Sequence, residues 1–172
     1  MLFGRHGYER TSMRDIAGAV GLLPGSVYYY FPSKDALLTA VYEDAIDRTI
    51  EAIEAAVELV ADPWDRLEAA AAVHLETLLG GGPIAAVVAG SPAESSLLRA
   101  ELISQRDRYE QVFRTLIEAV PLPPEIKPAS FRLALLGALN WTLTWFRPGG
   151  NDARSPEQIA QSLFAVFRAG RG

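Results

Sequence analysis

The chain has 172 residues, of which 49% are hydrophobic and 22% charged, so it is long enough for one domain or a small head on a larger body, and its composition excludes intrinsic disorder. The sequence contains no cysteine, which excludes disulfide scaffolds, thiol catalysis and cysteine-based zinc sites. The net charge of −5 argues against a histone-like coat protein for nucleic acid but is compatible with a small DNA-reading head on an acidic body.

The sequence predicts a cytoplasmic protein with no membrane partner. The N-terminus lacks an apolar core of signal-peptide length, and no apolar run reaches the ~18–20 residues of a membrane span. The nearest run, residues 133–146, carries Asn140, Thr142 and Thr144. The two histidines, His6 and His74, lie far apart in the sequence. We therefore predict neither a metal site nor a cofactor.

Helix-forming residues recur throughout the chain and proline and glycine divide them into segments, which predicts an all-α fold. Short helices occupy a head of about residues 1–36, whose net charge is +1, and longer helices occupy a body, whose net charge is −6. The segments expected in the body are helices at 34–61, 62–79, 93–120, 128–147 and 155–169, with a short apolar turn at 84–88.

The head has the pattern of a helix-turn-helix. Ser12 can cap a helix whose third residue, Asp15, favours the positive end of the helix dipole. Gly21 stands where that helix ends, since glycine adopts a left-handed conformation without steric cost. Pro24 suits the first position of the next helix. Two short helices joined by a tight glycine turn fit the motif that lays its second helix in the DNA major groove.

The second helix of this head carries three consecutive tyrosines. Val27 and Phe31 lie four residues apart and form its inward face, so Ser26, Tyr29 and Tyr30 point outward. Tyrosine hydroxyls on such a face can reach phosphates or base edges. Tyr28 can either pack inside the head or contact DNA. Lys34, just after the helix, can neutralise a phosphate.

The segments Gly7–Ala17 and Gly25–Leu37, with Gly21 between them, resemble the DNA-binding head of TetR-type transcriptional regulators. The resemblance implies about nine helices, a dimer through the last two, and release of a palindromic DNA operator when a small molecule enters the body. It also implies a division into a DNA-binding domain at 1–36 and an effector-binding and dimerisation domain at 37–172. The positions that it places near DNA are Thr11, Ser12, Arg14, Gly25, Ser26, Tyr28, Tyr29, Tyr30 and Lys34.

The chain departs from the family pattern in the head. Leu23 replaces the usual Ser or Thr cap of the recognition helix, Pro24 replaces a frequently polar residue that faces DNA, and Tyr30 replaces the usual histidine. Leu2 and Phe3 match the end of the family's first helix, so the sequence predicts that this helix is truncated. The alternative function is therefore a dimeric ligand-binding regulator that has lost operator binding.

The segment 137–150 resembles the C-terminal region of TetR-type regulators that sense acyl-coenzyme A thioesters in lipid and sterol breakdown. We therefore expect a mainly hydrophobic effector, an acyl-coenzyme A thioester, enclosed by apolar side chains. Asn140, Thr144 and Arg106 are expected to hold a carbonyl or anionic group. The full set of predicted pocket residues is Leu78, Arg106, Tyr109, Phe113, Asn140, Trp141, Thr144 and Trp145, whereas His74 is expected to be an ordinary core residue.

The last two helices have apolar stripes wide enough to bury two sides, which predicts a four-helix seam in a homodimer. The residues expected in this seam are Leu139, Phe146, Ala160, Leu163, Phe164 and Phe167. An enzyme would need a nucleophile with a base, a metal or an acid–base pair. The sequence offers no cysteine, two scattered histidines and no phosphate loop, so we predict that the protein is not an enzyme.

Overall fold

A computed structural model of the chain describes residues 2–89, 96–147, 149 and 154–169. Within these residues every regular element is an α-helix, which confirms the predicted fold class. The nine helices of this part are α1 (Leu2–His6), α2 (Met13–Ala19), α3 (Pro24–Tyr30), α4 (Lys34–Val57), α5 (Pro63–Leu79), α6 (Pro83–Ala89), α7 (Ser96–Glu118), α8 (Pro128–Trp145) and α9 (Pro156–Ala169).

Helices α2 and α3 form the helix-turn-helix of the head. Gly21 has φ +70 in the turn between them, a conformation that glycine adopts without the clash of a Cβ atom. A small core of Met13, Ala17, Val27 and Leu37 lies beneath the two helices. Since Leu37 belongs to α4, the head is packed directly on the first turns of the long helix that enters the body.

Polar contacts also tie the head to the start of α4. The Tyr8 hydroxyl donates a hydrogen bond to the Asp35 carboxylate. The Lys34 ammonium donates to the Tyr8 carbonyl at 3.0 Å and lies 4.1 Å from the centre of the Tyr8 ring. On the other side, Phe3 of α1 is buried in the main core of the body, and α1 contacts α6. These contacts attach the head to the start of α4 and to the body.

Helix α5 occupies the centre of the body, where it packs against α4, α7, α8 and α9. Its apolar face is fully buried at Leu67, Leu75 and Leu78. Trp64 at its start meets Phe131 of α8 and Phe164 of α9 edge-on, with ring centres 5.7 and 6.4 Å away. One continuous hydrophobic core therefore joins α5 to α8 and α9.

Two predicted boundaries differ from the structure. Helix α4 ends at Val57 instead of residue 61, since Asp62 acts as the N-cap of α5 and the chain must first turn back. Residues 83–89 form a helix instead of the expected short turn. The loop predicted at 90–92 and the start of the helix predicted from residue 93 lie outside the described residues.

In the part of the chain that the structure describes, no helix is both long and apolar enough to cross a membrane. The same residues contain no group of three or more histidine, aspartate or glutamate side chains placed to hold a metal ion.

Candidate functional site

The N-terminus of α2 is fixed by a reciprocal capping box. The Ser12 hydroxyl accepts a hydrogen bond from the Asp15 amide at 3.2 Å, and the Asp15 carboxylate accepts from the Ser12 amide at 2.9 Å and from its hydroxyl at 2.6 Å. The hydrogen bonds from the Ser12 side chain and backbone lower the pKa of Asp15. Ser12 is thus committed to positioning α2, whereas Arg14 in its first turn is exposed.

The second helix of the motif, α3, presents its tyrosines to solvent. Tyr29 is 83% exposed and Tyr30 is 72% exposed, as predicted, and Tyr28 is 51% exposed. The rings of Tyr29 and Tyr30 meet edge-on with centres 5.1 Å apart. Leu23 caps α3 without a side-chain hydrogen bond and Pro24 occupies its first turn, so α3 depends on the packing of Val27 for its position.

Two residues predicted near DNA lie differently from that expectation. Thr11 is buried and its hydroxyl donates to the Gly7 carbonyl at 2.8 Å, because it closes the turn that precedes α2. Lys34 is half-buried, and its ammonium is held by the Tyr8 carbonyl and ring. The other residues predicted near DNA are exposed, and these are Ser12, Arg14, Gly25, Ser26, Tyr28, Tyr29 and Tyr30.

The body contains an open cavity of about 490 Å³ lined by α4, α5, α6, α7 and α8, which is within the usual size range of small-molecule pockets. Of the residues predicted for the effector pocket, Arg106, Tyr109 and Asn140 line it. The other lining residues are Tyr42, Ile46, His74, Ile84, Val87, Val88, Arg99, Leu102, Ile103, Glu110 and Leu136.

A buried histidine joins two polar side chains of this cavity. His74 Nδ1 lies 2.8 Å from the Tyr109 hydroxyl and Nε2 lies 3.2 Å from Asn140 Oδ1. Burial lowers the pKa of His74 to about 4, against the opposing effect of the Asn140 hydrogen bond. The imidazole is therefore neutral at pH 7. Because Asn140 Oδ1 only accepts, Nε2 carries the proton and Nδ1 accepts from Tyr109.

The cavity also has a charged rim. Arg106 is exposed and forms ion pairs with Asp107 at 3.0 Å and with Glu110 at 3.6 Å. Glu110 additionally pairs with Arg132 of α8. The rim therefore combines arginine and glutamate, while the buried part of the cavity is neutral.

Five predicted pocket residues lie elsewhere. Leu78 of α5 and Phe113 of α7 are fully buried in the main core, to which both helices contribute. Trp141 is 64% exposed and Trp145 is also exposed, because both lie on the outward face of α8. Thr144 lies on the same face as Asn140, one turn further along α8, where it is exposed and does not line the cavity. Asn140 is the residue of that segment that faces the cavity.

Sequence reasoning missed the contribution of α4 to the cavity. Tyr42 and Ile46 are four residues apart and both are buried, so their helical spacing was the available signal. His74 was expected in the core, and it is buried, but it also lines the cavity. Only the tertiary packing of α4 against α5 and α7 brings these residues together.

Three of the six residues predicted in the dimer seam lie inside the subunit instead. Leu139, Ala160 and Phe164 are fully buried inside the subunit, because α8 and α9 use those faces to cover α5. Phe146, Leu163 and Phe167 are half-buried against the same core. The opposite faces of the two helices leave large apolar side chains exposed, and these are Leu133, Trp141, Trp145 and Val166.

Comparison with known proteins is consistent with this architecture. A family profile described as bacterial regulatory proteins of the tetR family matches residues 1–41, and one described as a tetracyclin repressor-like C-terminal domain matches residues 60–170. The chain is 28% identical over 159 residues to the HTH-type transcriptional repressor KstR2 of Rhodococcus jostii. The aligned segment covers 87% of this chain and 76% of that protein.

Solved structures share the whole fold. The TetR family transcriptional regulator PfmR from Thermus thermophilus is 30% identical, with a TM-score of 0.81 over 99% of this chain and 94% of the other. AibR in complex with isovaleryl coenzyme A and operator DNA is 23% identical, with a TM-score of 0.80 over 96% of this chain and 91% of the other. At that identity the second likeness concerns the fold alone.

Proposed function

Because the chain belongs to the TetR family of bacterial regulatory proteins, we propose that it is a ligand-responsive transcriptional repressor. It binds a palindromic operator as a homodimer and is released when a small, mainly hydrophobic effector enters the cavity of the body. Binding to a bacterial operator places the protein in the cytoplasm. The observation that carries this proposal is the exposed tyrosine face of α3 on an intact helix-turn-helix.

The head has the features needed to read DNA. Tyr29 and Tyr30 present hydroxyls that donate and accept hydrogen bonds at phosphates and base edges. Arg14 on the neighbouring helix is exposed and supplies a phosphate contact. The head is slightly positive whereas the body is acidic, so DNA meets the head and is repelled by the rest of the molecule.

We propose that the homodimer forms through the outward faces of α8 and α9. Leu133 and Trp141 on α8 and Val166 on α9 are large, apolar and exposed in the single subunit. Burying such side chains against the same surface of a second copy removes apolar area from water on both sides of a twofold axis. Two helices from each subunit then form a four-helix seam.

We propose an acyl-coenzyme A thioester as the effector. The cavity joins apolar walls at Ile46, Ile84 and Leu136 to an arginine at the rim, which suits an acyl chain attached to an anionic group. AibR has the same fold and binds isovaleryl coenzyme A together with operator DNA. Those features support a thioester over a sugar, which would need polar groups along the whole length of the cavity.

Helix α4 provides a physical link from the cavity to the head. It packs on the head through Leu37 and lines the cavity through Tyr42 and Ile46. Since a helix transmits displacement along its axis, an effector that shifts α4 changes the separation of the two heads in the dimer. The effector must bind the released conformation more tightly, so effector and DNA weaken each other's binding by the same factor.

We propose no catalytic step for this protein. The repressor KstR2 and the regulator PfmR are described as transcriptional regulators. The histidine of the cavity is held by Tyr109 and Asn140 through both ring nitrogens, so neither nitrogen is left to act as a base.

The proposal is tested by fluorescence anisotropy on a labelled palindromic DNA fragment that the protein has selected from a random pool. We expect Tyr29→Ala to weaken binding at least roughly tenfold, as loss of a base or phosphate contact does. The matched control Leu59→Ala removes an exposed side chain far from the head and leaves binding unchanged. Equal affinities of both variants would contradict the assigned DNA-binding face.

The same titration distinguishes the proposed repressor from the alternative function, a ligand-binding regulator without operator binding. Addition of hexanoyl-coenzyme A is expected to release the fragment. A protein that binds the thioester as a dimer but selects no DNA sequence would instead be a ligand-binding regulator without operator binding.

A further inference from the structure

The cavity contains a polar side chain, Tyr42, whose hydrogen-bonding capacity is unused within the described residues. Tyr42 is only 3% exposed and lines the cavity. Its hydroxyl makes no hydrogen bond within the described part of the chain, and it is accessible from the cavity. Buried hydroxyls are nearly always paired, so a hydroxyl left open in a pocket is suited to bind a ligand oxygen.

A second open donor lines the same cavity, on α8. Asn140 uses its carbonyl oxygen to accept from His74 Nε2. Its amide nitrogen, which carries two N–H groups, has no partner among the residues that the structure describes. His74 holds the Asn140 amide in one orientation, because His74 is itself held by Tyr109 through its other nitrogen.

One row of polar side chains lines the cavity, and it consists of Tyr42, Tyr109, His74 and Asn140. Burial raises the pKa of Tyr42, against the opposing charge of Arg106. Tyr109 is bonded to His74, and His74 to Asn140. Arg106 is exposed at the rim, Tyr42 is buried and Asn140 is half-buried, so the row contains two open donors on different helices, Tyr42 on α4 and Asn140 on α8.

Apolar side chains surround this row, among them Ile46, Leu102 and Leu136. A saturated hydrocarbon chain fills the space but leaves the Asn140 amide without a partner after water has been expelled. Sites that contain such unpaired polar groups discriminate strongly against ligands that lack the matching oxygen. The row therefore has one donor for a thioester carbonyl and a second donor for an additional oxygen.

We infer that the effector is a short acyl thioester whose acyl group carries a second oxygen, a hydroxyl or keto group, which accepts a hydrogen bond from Asn140. Tyr42 donates to the thioester carbonyl and Arg106 meets an anionic group at the rim. His74 is a positioning residue that fixes the Asn140 amide. This inference rests on the proposed function, because it specifies the chemistry of the proposed effector.

The test uses calorimetric titration of the full chain with four six-carbon probes, hexanoyl-, 3-hydroxyhexanoyl-, 3-oxohexanoyl- and 5-oxohexanoyl-coenzyme A. We expect at least one oxygenated thioester to bind at least about tenfold more tightly than hexanoyl-coenzyme A, which corresponds to one well-formed hydrogen bond. This comparison requires no variant, so a folding defect cannot obscure it. Hexanoyl-coenzyme A binding as tightly as all three others would overturn the inference and leave the proposed effector class intact.

Two variants locate the donors. Asn140→Leu removes the amide at nearly constant size, and we expect it to reduce the preference for the oxygenated thioester to less than about twofold. Tyr42→Phe removes only a hydroxyl, and we expect it to weaken all four thioesters by a similar factor. Ser104→Leu, an exposed polar-to-apolar change on α7 that does not line the cavity, serves as the matched control and leaves all four affinities unchanged.

These outcomes distinguish failure of this inference from failure of the proposed function. A preference that persists in Asn140→Leu would overturn the role of Asn140. Absence of binding by all four thioesters, in a protein that still selects palindromic DNA, would overturn both this inference and the acyl-thioester effector while leaving the repressor function in place.

Discussion

At the scale of single residues, His74 shows how the same side chain serves both packing and recognition. Its helix buries it in the core, which follows from its position among apolar residues of α5. Its hydrogen bonds to Tyr109 and Asn140 depend on residues 35 and 66 positions later in the chain, so no local pattern could predict them. Burial of the neutral imidazole makes the stability of the protein depend on pH.

We expect the free energy of unfolding to decrease as the pH falls from about 6.5 to about 4. The folded-state pKa of His74 is lowered from 6.5 to about 4, so in this window the unfolded chain binds a proton that the folded chain does not. The loss approaches roughly 3 kcal/mol at the acid end of the window. Urea unfolding followed by circular dichroism at a series of pH values measures it.

The control for this prediction is His74→Gln, which retains a donor and an acceptor but does not titrate. Its unfolding free energy should change less than that of the wild type between pH 6.5 and pH 5. His6 is present in both proteins and cancels in the comparison. Identical pH profiles would show that His74 is not buried as a neutral group.

At the scale of the helices, cap residues and apolar spacing predict most of the fold. Ser12, Asp62 and Ser155 each accept a hydrogen bond from an amide of the helix that follows, and the helices predicted to start at these three positions do begin there. Periodicity does not reveal which neighbour covers an apolar face. Phe164 was therefore assigned to a dimer seam, although α5 covers it inside the subunit.

The turn of the helix-turn-helix makes a prediction at this scale. Gly21 has φ +70, and a Cβ atom added there would meet no other atom within 4 Å. Gly21→Ala should therefore lower the unfolding free energy by about 1 kcal/mol, from backbone strain alone. Thermal unfolding measures this change, and Gly25→Ala, at an exposed helical position with open space, is the control that should not destabilise. An unchanged stability of Gly21→Ala would contradict the left-handed turn.

The surface of α2 predicts the salt dependence of DNA binding. If Arg14 neutralises one phosphate, Arg14→Ala reduces the slope of the logarithm of the binding constant against the logarithm of salt concentration by about one. Arg48→Ala removes the same charge from an exposed position on α4 and should leave the slope unchanged. Anisotropy titrations at several salt concentrations measure the slopes. Equal slopes for Arg14→Ala and the wild type would remove Arg14 from the DNA interface.

At the scale of the whole molecule, the sequence shows which residues are apolar, but it does not show which side chains lie next to one another after folding. The segment around Asn140 was predicted to enclose the effector as a unit. The helix turns Asn140 toward the cavity and Trp141 toward solvent, since adjacent residues on a helix are about 100° apart. The cavity could not be predicted as a set because five separate helices form it.

The outward faces of α8 and α9 predict the oligomeric state. Val166→Glu and Trp141→Glu place a charge at exposed apolar positions, so the subunit should fold normally while the dimer dissociates at micromolar concentration. Sedimentation equilibrium measures the mass and circular dichroism checks the fold. Leu59→Glu makes the same type of change at a position that is 95% exposed outside both helices and should remain dimeric. A wild-type monomer, or dimeric Val166→Glu and Trp141→Glu variants, would contradict this seam.

The central claim, that this chain is a dimeric repressor that reads DNA through α3, is tested most directly by selection of binding sequences from a random pool of double-stranded DNA. The account predicts enrichment of one palindrome whose half-sites are spaced to match two heads about one turn of DNA apart, ~34–36 Å. It also predicts that Tyr29→Ala enriches that palindrome weakly or not at all. Enrichment of no sequence by the folded dimer, or of a sequence without twofold symmetry, would contradict it.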